Sequence, residues 1–467
     1  MISNLDSAVI DANCESMGIS ISELMTNAGT AVSSLLKERF HGKRIAFVCG
    51  NGNNGGDGIF AAGMMPGENV TIYLLKPIDS IKNPDIKERL STLGCSVKDF
   101  RSLDLSMYEV LVDCALGTGI KGGVKQPYED FIKRTKEFSG IIVSVDVPSG
   151  LGTHTHVNPS ITITFHDMKE GMNKNNSGEI IIADIGIPSE AYDRIGPGDM
   201  VRYPVSCDDS HKGSNGRLLI IGGGPYYGAP AMSALAALRI GVDIVRLAVP
   251  ESCYSIIAGF SPVFTMTDLE GDIIKKDHVD PLLDLTQEFD AVLIGPGAGT
   301  SDETRNAIND LVSRCTIPMV IDADGLTALG PSPKMNGKAV LTPHRKEFER
   351  LGGNIGDKVD MNVKELAKKT NSTILLKGPV DIVSDGNRVR YNDTGTPGMT
   401  GAGTGDVLAG IVAGLLAKGM NCFDSASLGA FISGKAGEYA FDKGSYGMIA
   451  TDVIDEIPNV LKGYIRD

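Results

Sequence analysis

A chain of 467 residues, 42% hydrophobic and 22% charged, is too long for one ordinary domain and has the balance of a globular protein. Its formal net charge of −14 excludes a nucleic-acid-binding surface, which needs a basic stripe, but leaves room for a small anion held by backbone N–H groups. No apolar run approaches the roughly 20 residues that span a bilayer, and the eight cysteines form no CxxC pair, so a cytoplasmic protein with reduced thiols and no membrane partner is expected.

Along the chain, short apolar, β-rich runs alternate with longer helical stretches. The runs fall at 45–49, 70–75, 110–114, 141–145, 161–165 and 180–185 in the first half. In the second half they fall at 217–221, 245–249, 291–294, 319–321, 339–341 and 373–376. Runs of three to six apolar residues without alternation read as strands covered on both faces, and their alternation with helices predicts parallel α/β sheets. The fold class expected is therefore α/β. Turn-rich sequence around Gly196–Asp199 and again from Tyr203 to Ser210 marks a boundary near residue 205, giving domains 1–205 and 206–467.

After the first strand comes GNGNNGGDG, Gly50 to Gly58. Gly50, Gly52 and Gly55 fit the dinucleotide fingerprint, but Asn53, Asn54 and Asp57 crowd the loop. Lys76 also stands where a ribose-binding acid belongs, which argues against a nicotinamide dehydrogenase. Two later strand ends carry Asp113, followed by Gly117–Thr118–Gly119, and Asp146, followed by Val147–Pro148–Ser149–Gly150. Asn54, Asp113 and Ser149 offer oxygen ligands suited to a hard cation rather than zinc. Asp146 at a strand tip is a candidate acid/base. Each acid singly could cap a turn; their convergence on one sheet edge points to a site. His154, His156 and His166 lack an acid or cysteine to complete a metal set and read as a polar loop.

The order GNGNNGGDG, DCALGTG and DVPSGL, with LMTNAG upstream and TFHDMKEG and GEIIIADIGIP downstream, resembles the NAD(P)H-hydrate epimerase family over about residues 1–200. The resemblance implies a Rossmann-like three-layer α/β/α domain whose loops surround a hydrated nicotinamide nucleotide. The residues implied are Asn53, Asn54, Gly55, Gly56 and Asp57, then Gly117, Thr118, Gly119, Ile120, Lys121, Gly122 and Gly123, with Tyr128 and Asp146. It further implies a potassium ion at Asn54, Asp113 and Ser149. Asp146 becomes the proton carrier in exchanging the R and S hydrates at C6 of the reduced ring.

In the second half, glycine-bearing strand ends recur at Gly222–Gly224, Gly295–Gly299 and Lys377–Gly378, with Asp322–Ala323–Asp324 and Pro343–His344 between them. Near the C-terminus the chain reads TGTPGMTGAGTGDVLAG. Gly401, Gly403 and Gly405 let the backbone turn tightly, and Asp406 opens an apolar run, 407–417, that reads as a buried helix. A phosphate would sit at that helix N-terminus, with a carboxylate beside it to accept a proton from an attacking hydroxyl.

HKGSNGRLLIIGG, GAPAMSALAALRIG, GPGAGT, DADGL, LTPHRKEFERL and TGTPGM ahead of GTGD resemble the ribokinase-like superfamily, and within it the ADP-dependent NAD(P)H-hydrate dehydratases, over about residues 208–460. The resemblance implies a second three-layer α/β/α domain, ribokinase-like, in which Ala229, Gly297, His344 and Asp406 touch the hydrate. Lys377, Gly378, Pro379, Val380, Asp381 and Gly405 would touch the adenine nucleotide, with magnesium accompanying ADP. Thr396 stands where the family has Asn before Pro397. Together the halves imply repair of hydrated NADH and NADPH, with ADP converted to AMP and phosphate and Asp406 as the base. A homo-oligomer is expected from the apolar N-terminal helix. A sugar or vitamin-precursor kinase fused to a non-catalytic nucleotide-binding domain is the alternative.

Overall fold

Successive side chains of the first strand, β1 (Ile45–Cys49), enter two different cores. Ile45, Phe47 and Cys49 pack on one side, and Ala46 and Val48 on the other. An unbroken apolar run has no face to offer water, so helices must cover the sheet on both sides. The computed structural model describes residues 1–119 and 122–465 and consists of two such units, Met1–Ala191 and Tyr192–Asp467.

In the first unit β1 is joined by β2 (Val70–Leu74), β3 (Ser96–Asp99), β4 (Val110–Cys114), β5 (Ile141–Val145), β6 (Ile161–Phe165) and β7 (Glu179–Ala183). Their order is β3-β2-β1-β4-β5-β6-β7, all parallel, with Phe47 paired to Ile72 on one side and Val112 on the other. The helix Ile21–Phe40 lays Leu24, Met25, Ala28, Val32, Leu36 and Phe40 as one buried stripe against this core.

The second unit repeats the principle. Leu218 and Ile220 of β8 (Arg217–Ile221) face one core, Leu219 and Ile221 the other. The remaining strands are β9 (Ile244–Pro250), β10 (Thr265–Leu269), β11 (Ala291–Ile294), β12 (Met319–Ile321), β13 (Ala339–Leu341), β14 (Thr373–Leu376), β15 (Asp381–Ser384) and β16 (Val389–Asn392). The order is β10-β9-β8-β11-β12-β13-β14-β15-β16, parallel except where β15 and β16 fold back as an antiparallel hairpin. The helix Thr404–Ala417 is buried all round from Val407 onward; a Cβ at Gly410 would lie 2.3 Å from Ser233 O, so only glycine admits the neighbouring helix Gly228–Arg239 so closely. Among the described residues no helix is long and apolar enough to cross a membrane.

Four strands lie outside the apolar runs of the sequence. All of β3 is exposed and β10 is a half-exposed edge, so neither carries a continuous hydrophobic signal. β15 and β16 form the hairpin at the opposite edge. The boundary also lies earlier than residue 205. Residues 192–204 pack into the second unit: Ile195 N–H donates to Tyr391 O at 2.8 Å, and Arg390 donates to Tyr192 O at 3.0 Å and Arg194 O at 2.6 Å. The same guanidinium pairs with Asp199, which is fully buried, its Nη2 lying 2.9 Å from Oδ2.

Truncating Arg390 takes from buried Asp199 its closest cation and leaves Arg202 Nε at 3.8 Å. Arg390→Met is therefore expected to lower unfolding stability by about 3 kcal/mol, read as a fall in the urea midpoint of the full chain.

Candidate functional site

Each sheet reverses its strand order once, between β1 and β4 in the first unit and between β8 and β11 in the second. At such a point the loops leaving adjacent carboxyl ends part in opposite directions and open a crevice.

In the first unit that crevice is a cavity of about 730 Å³. Asn53, Asn54, Gly55 and Asp57 line it from the start of the helix Asn53–Gly63. Gly117, Thr118, Gly119 and Gly123 line it from the loop after β4, together with Tyr128 and Asp146. A Cβ at Gly55 would stand 2.1 Å from Gly50 O, so glycine here lets the helix start press onto the loop that precedes it. Gly56 does not line the cavity: its Cα faces Ile86 and Met25, a packing role. Gly122 lines two neighbouring clefts instead. Ile120 and Lys121 lie outside the described residues. Tyr128 is fixed by donating to Asn51 Oδ1 at 2.7 Å.

Behind this wall Asp113, fully buried near the end of β4, accepts from Ser144 Oγ (2.8 Å), Ser149 N (2.9 Å), Ser149 Oγ (2.5 Å) and Ala115 N (3.2 Å). Ser149 Oγ in turn accepts from Leu116 N at 2.8 Å, and Asn54 Nδ2 donates to Leu116 O at 3.0 Å. Asn54 Oδ1 is buried without a hydrogen-bond partner among the described residues. A buried carbonyl oxygen with nothing to accept from is costly unless a cation or water meets it.

Asp146 leaves β5 with φ +62°, a left-handed conformation that a non-glycine residue adopts only when its surroundings enforce it. Lys169 supplies that constraint: its Nζ lies 2.6 Å from Asp146 Oδ1 and also donates to Phe165 O at 2.8 Å and Thr164 Oγ1 at 3.2 Å. Lys169 and Asp11, both in the cavity wall, were not singled out in the sequence. Lys169 sits inside TFHDMKEG but four residues past its strand, where spacing alone carries no signal.

In the second unit the helix Thr404–Ala417 begins at Gly403, whose φ of +95° suits glycine. Gly403 has no side chain to cap the helix, and the first bond the helix closes is Val407 N to Gly403 O at 3.0 Å. The N–H groups of Thr404, Gly405 and Asp406 therefore point outward for an acceptor. Lys377, at the end of β14, lies beside them: a Cβ on Gly405 would be 3.4 Å from its Nζ. Asp322, after β12, holds that ammonium at 2.8 Å and also accepts from Thr342 Oγ1 at 2.8 Å. Burial opposes the Lys377 charge, but Asp322 and Glu347 outweigh it and raise its proton affinity. Asp406 has no such partner among the described residues. Burial, then the charges of Asp322 and Asp324, push its pKa up to about 7, against the opposing pull of Lys377.

The other residues read from the sequence are placed unevenly. Gly297 (φ +66°) sits against Tyr226 O, and Ala229 is half-buried in the first turn of Gly228–Arg239, so both belong to the loops at the reversal point. His344 Nδ1 accepts from Lys346 N (3.1 Å) and Glu347 N (3.2 Å), capping the next helix and leaving Nε2 half-exposed. Pro379 and Val380 are exposed. The Asp381 carboxylate is turned inward, accepting from Gly378 N and Asn392 Nδ2, each at 3.0 Å, so it braces the hairpin. Sequence reading noted Asp322 as a strand-end acid but not its pairing with Lys377, and it passed over Glu347, because Lys377 is remote in sequence.

Two family models match. One, described as NAD(P)H-hydrate dehydratase, covers residues 218–459, and the other, described as YjeF-related protein N-terminus, covers 21–171. A bifunctional NAD(P)H-hydrate repair enzyme Nnr from Hyperthermus butylicus is 40% identical, over 100% of this chain and 93% of its own length. Among solved structures, the ADP/ATP-dependent NAD(P)H-hydrate dehydratase from Bacillus subtilis, co-crystallised with ATP and magnesium, is 25% identical with a TM-score of 0.52, over 58% of this chain and 98% of its own. A ribokinase-like superfamily protein from Enterococcus faecalis, 24% identical with a TM-score of 0.54 over 59% and 96%, shares the fold.

The raised Asp406 pKa has a measurable sign. Its folded value, about 7, exceeds the ordinary 3.8, so ionisation weakens the fold as pH rises through 7 and costs nothing below the ordinary value. Asp406→Asn should accordingly melt above the wild-type chain at about pH 8, with the margin vanishing toward about pH 4, in calorimetric scans of both proteins.

Proposed function

The chain belongs to the bifunctional NAD(P)H-hydrate repair enzyme family, and from that premise we propose that its two cavities act in turn on one damaged coenzyme. The first unit, 1–191, exchanges the R and S forms of hydrated NADH and NADPH. The second, from Tyr192 onward, dehydrates the S form with ADP, releasing the reduced coenzyme, AMP and phosphate. The observation that carries this reading is the uncapped start of the helix Thr404–Ala417, with Asp406 and Lys377 beside it.

In the second unit Asp406 accepts the proton of the ring hydroxyl, and the freed oxygen attacks the β-phosphate of ADP. A base with a pKa near the working pH is deprotonated yet still proton-seeking. The Thr404–Asp406 N–H groups and Lys377 face the charge that develops on the transferred phosphoryl. Hydroxide leaves a carbon poorly, whereas phosphate leaves well, so the ring nitrogen's lone pair expels phosphate to form a C6=N1 bond, and loss of a C5 proton to solvent then forms the C5=C6 bond and returns the pair to N1. Magnesium travels with the nucleotide. Ala229, Gly297 and the exposed edge of His344 hold the hydrate, while Gly378, Pro379, Val380 and Gly405 hold the nucleotide. Asp381 contributes through the backbone that its carboxylate braces.

In the first unit Asp146 handles protons at C6 while Asn53, Asn54, Gly55, Asp57, Gly117, Thr118, Gly119, Gly123 and Tyr128 hold the nucleotide. The donor set of Asn54, Asp113 and Ser149 fits potassium: every donor is a hard oxygen, and Asn54 Oδ1 has no other partner among the described residues. Bound there, the cation supplies positive charge beside the loop after β4. A cytoplasmic homo-oligomer completes the reading, with sedimentation of the purified protein as its check.

Asp406→Asn is expected to lower kcat for ADP-driven recovery of NADH absorbance by about 10²–10⁴-fold with ADP still bound, and unchanged turnover would remove Asp406 from the mechanism. Potassium should raise the melting temperature of the wild-type chain more than lithium does. Asn54→Ala should lose that difference; an equal response to both ions would dismiss the cation site.

A further inference from the structure

Glu15 and Lys125 line the first unit's cavity, and so does a group of three carboxylates and one ammonium that act on one another. Asp11 comes from the helix Asn4–Ser16, Asp57 from the helix Asn53–Gly63, Asp146 follows β5, and Lys169 follows β6. The ammonium is committed. Lys169 is almost wholly buried and its ion pair goes to Asp146, whose hydrogen bonds all arrive at Oδ1. Asp57 receives no hydrogen bond and no cation among the described residues, though it lies in the same wall. Burial, then the charges of Asp146 and Asp11, push its pKa well up, with Lys169 opposing; the buried Cys114 thiol at the end of β4 also faces it. One carboxylate pinned by an ammonium and one carboxyl that keeps its proton, facing a common cavity, form the asymmetry that separates a base from an acid.

We propose that Asp57 is the proton donor of the epimerising reaction and Asp146 the acceptor on the opposite face of the ring, a deepening that rests on the epimerase reading of this unit. C6 of the hydrate bears the hydroxyl and is bonded to N1. In the first step the C6–O bond breaks, the oxygen leaves as water carrying the Asp57 proton, and the N1 lone pair forms a C6=N1 bond. In the second step water forms a new C6–O bond on the other face, the C=N pair returns to N1, and Asp146 takes the proton from that water. One water leaves and one enters, one proton is given and one taken, and no electrons are exchanged with any other molecule. The reverse reaction swaps the two carboxyl roles, and proton exchange with solvent resets them between turnovers. Replacing the donor removes a positioned acid worth about 10²–10⁴ in rate.

The test uses the full chain without ADP, so that the second unit is idle, and follows chromatographically separated R and S hydrated NADH across pH. Asp57→Asn is expected to slow interconversion by at least about 10²-fold, abolish the loss of rate at high pH, and lower kcat by a larger factor than it raises KM. Asp57→Glu should keep the high-pH limb and part of the rate, and it carries the test should the amide variant fold poorly. In heavy-oxygen water each conversion should place one labelled oxygen on C6. Wild-type interconversion by Asp57→Asn, a defect confined to binding, or unlabelled product would each overturn the proposal. An absence of interconversion by the wild-type chain would instead defeat the epimerase reading on which it rests.

Discussion

Both units depend on one constraint: their central strands are buried on both faces, so no charged side chain has a place along them except at the ends. Polar chemistry is thereby swept to the carboxyl rim, and the single reversal of strand order in each sheet decides where on that rim a ligand enters. Asp113 is the exception that illustrates the cost. It is fully buried within β4 and is tolerated because four donors meet its oxygens.

The two rims share an electrostatic arrangement reached from different residues. Each holds a lysine locked onto a buried or half-buried aspartate, Lys169 on Asp146 and Lys377 on Asp322. Each also holds a second aspartate without its own cation, whose proton affinity rises partly because the paired carboxylate is close: Asp57 in the first, Asp406 in the second. In a medium that screens charge poorly, a single ammonium cannot serve two acids equally. The fold therefore differentiates residues of identical chemistry by which one the lysine can reach.

The sequence made the central strands and the strand-end loops readable because burial on two faces writes an unmistakable pattern. Ile45–Cys49 and Arg217–Ile221 coincide with the apolar runs to the residue. Edge strands escape for the converse reason: Ser96–Asp99 is solvated throughout and looks like loop. At the candidate sites, motif order pointed to the glycine loops and Asp406. It could not reveal pairings with a distant partner, such as Lys169 with Asp146 or Asp322 with Lys377, since pairing depends on the fold rather than on spacing. Gly56 shows the converse, a motif glycine that packs against Ile86 and Met25 away from the cavity.

The turn-rich stretch before residue 205 looks like a linker, yet Asp199 within it supplies the buried counter-charge of Arg390, and Ile195 extends the edge of β16. Anyone wishing to express the dehydratase half alone should start upstream of Tyr192. A fragment cut at the apparent hinge would carry an orphaned guanidinium in its interior and a frayed sheet margin, and its poor behaviour would say nothing about catalysis.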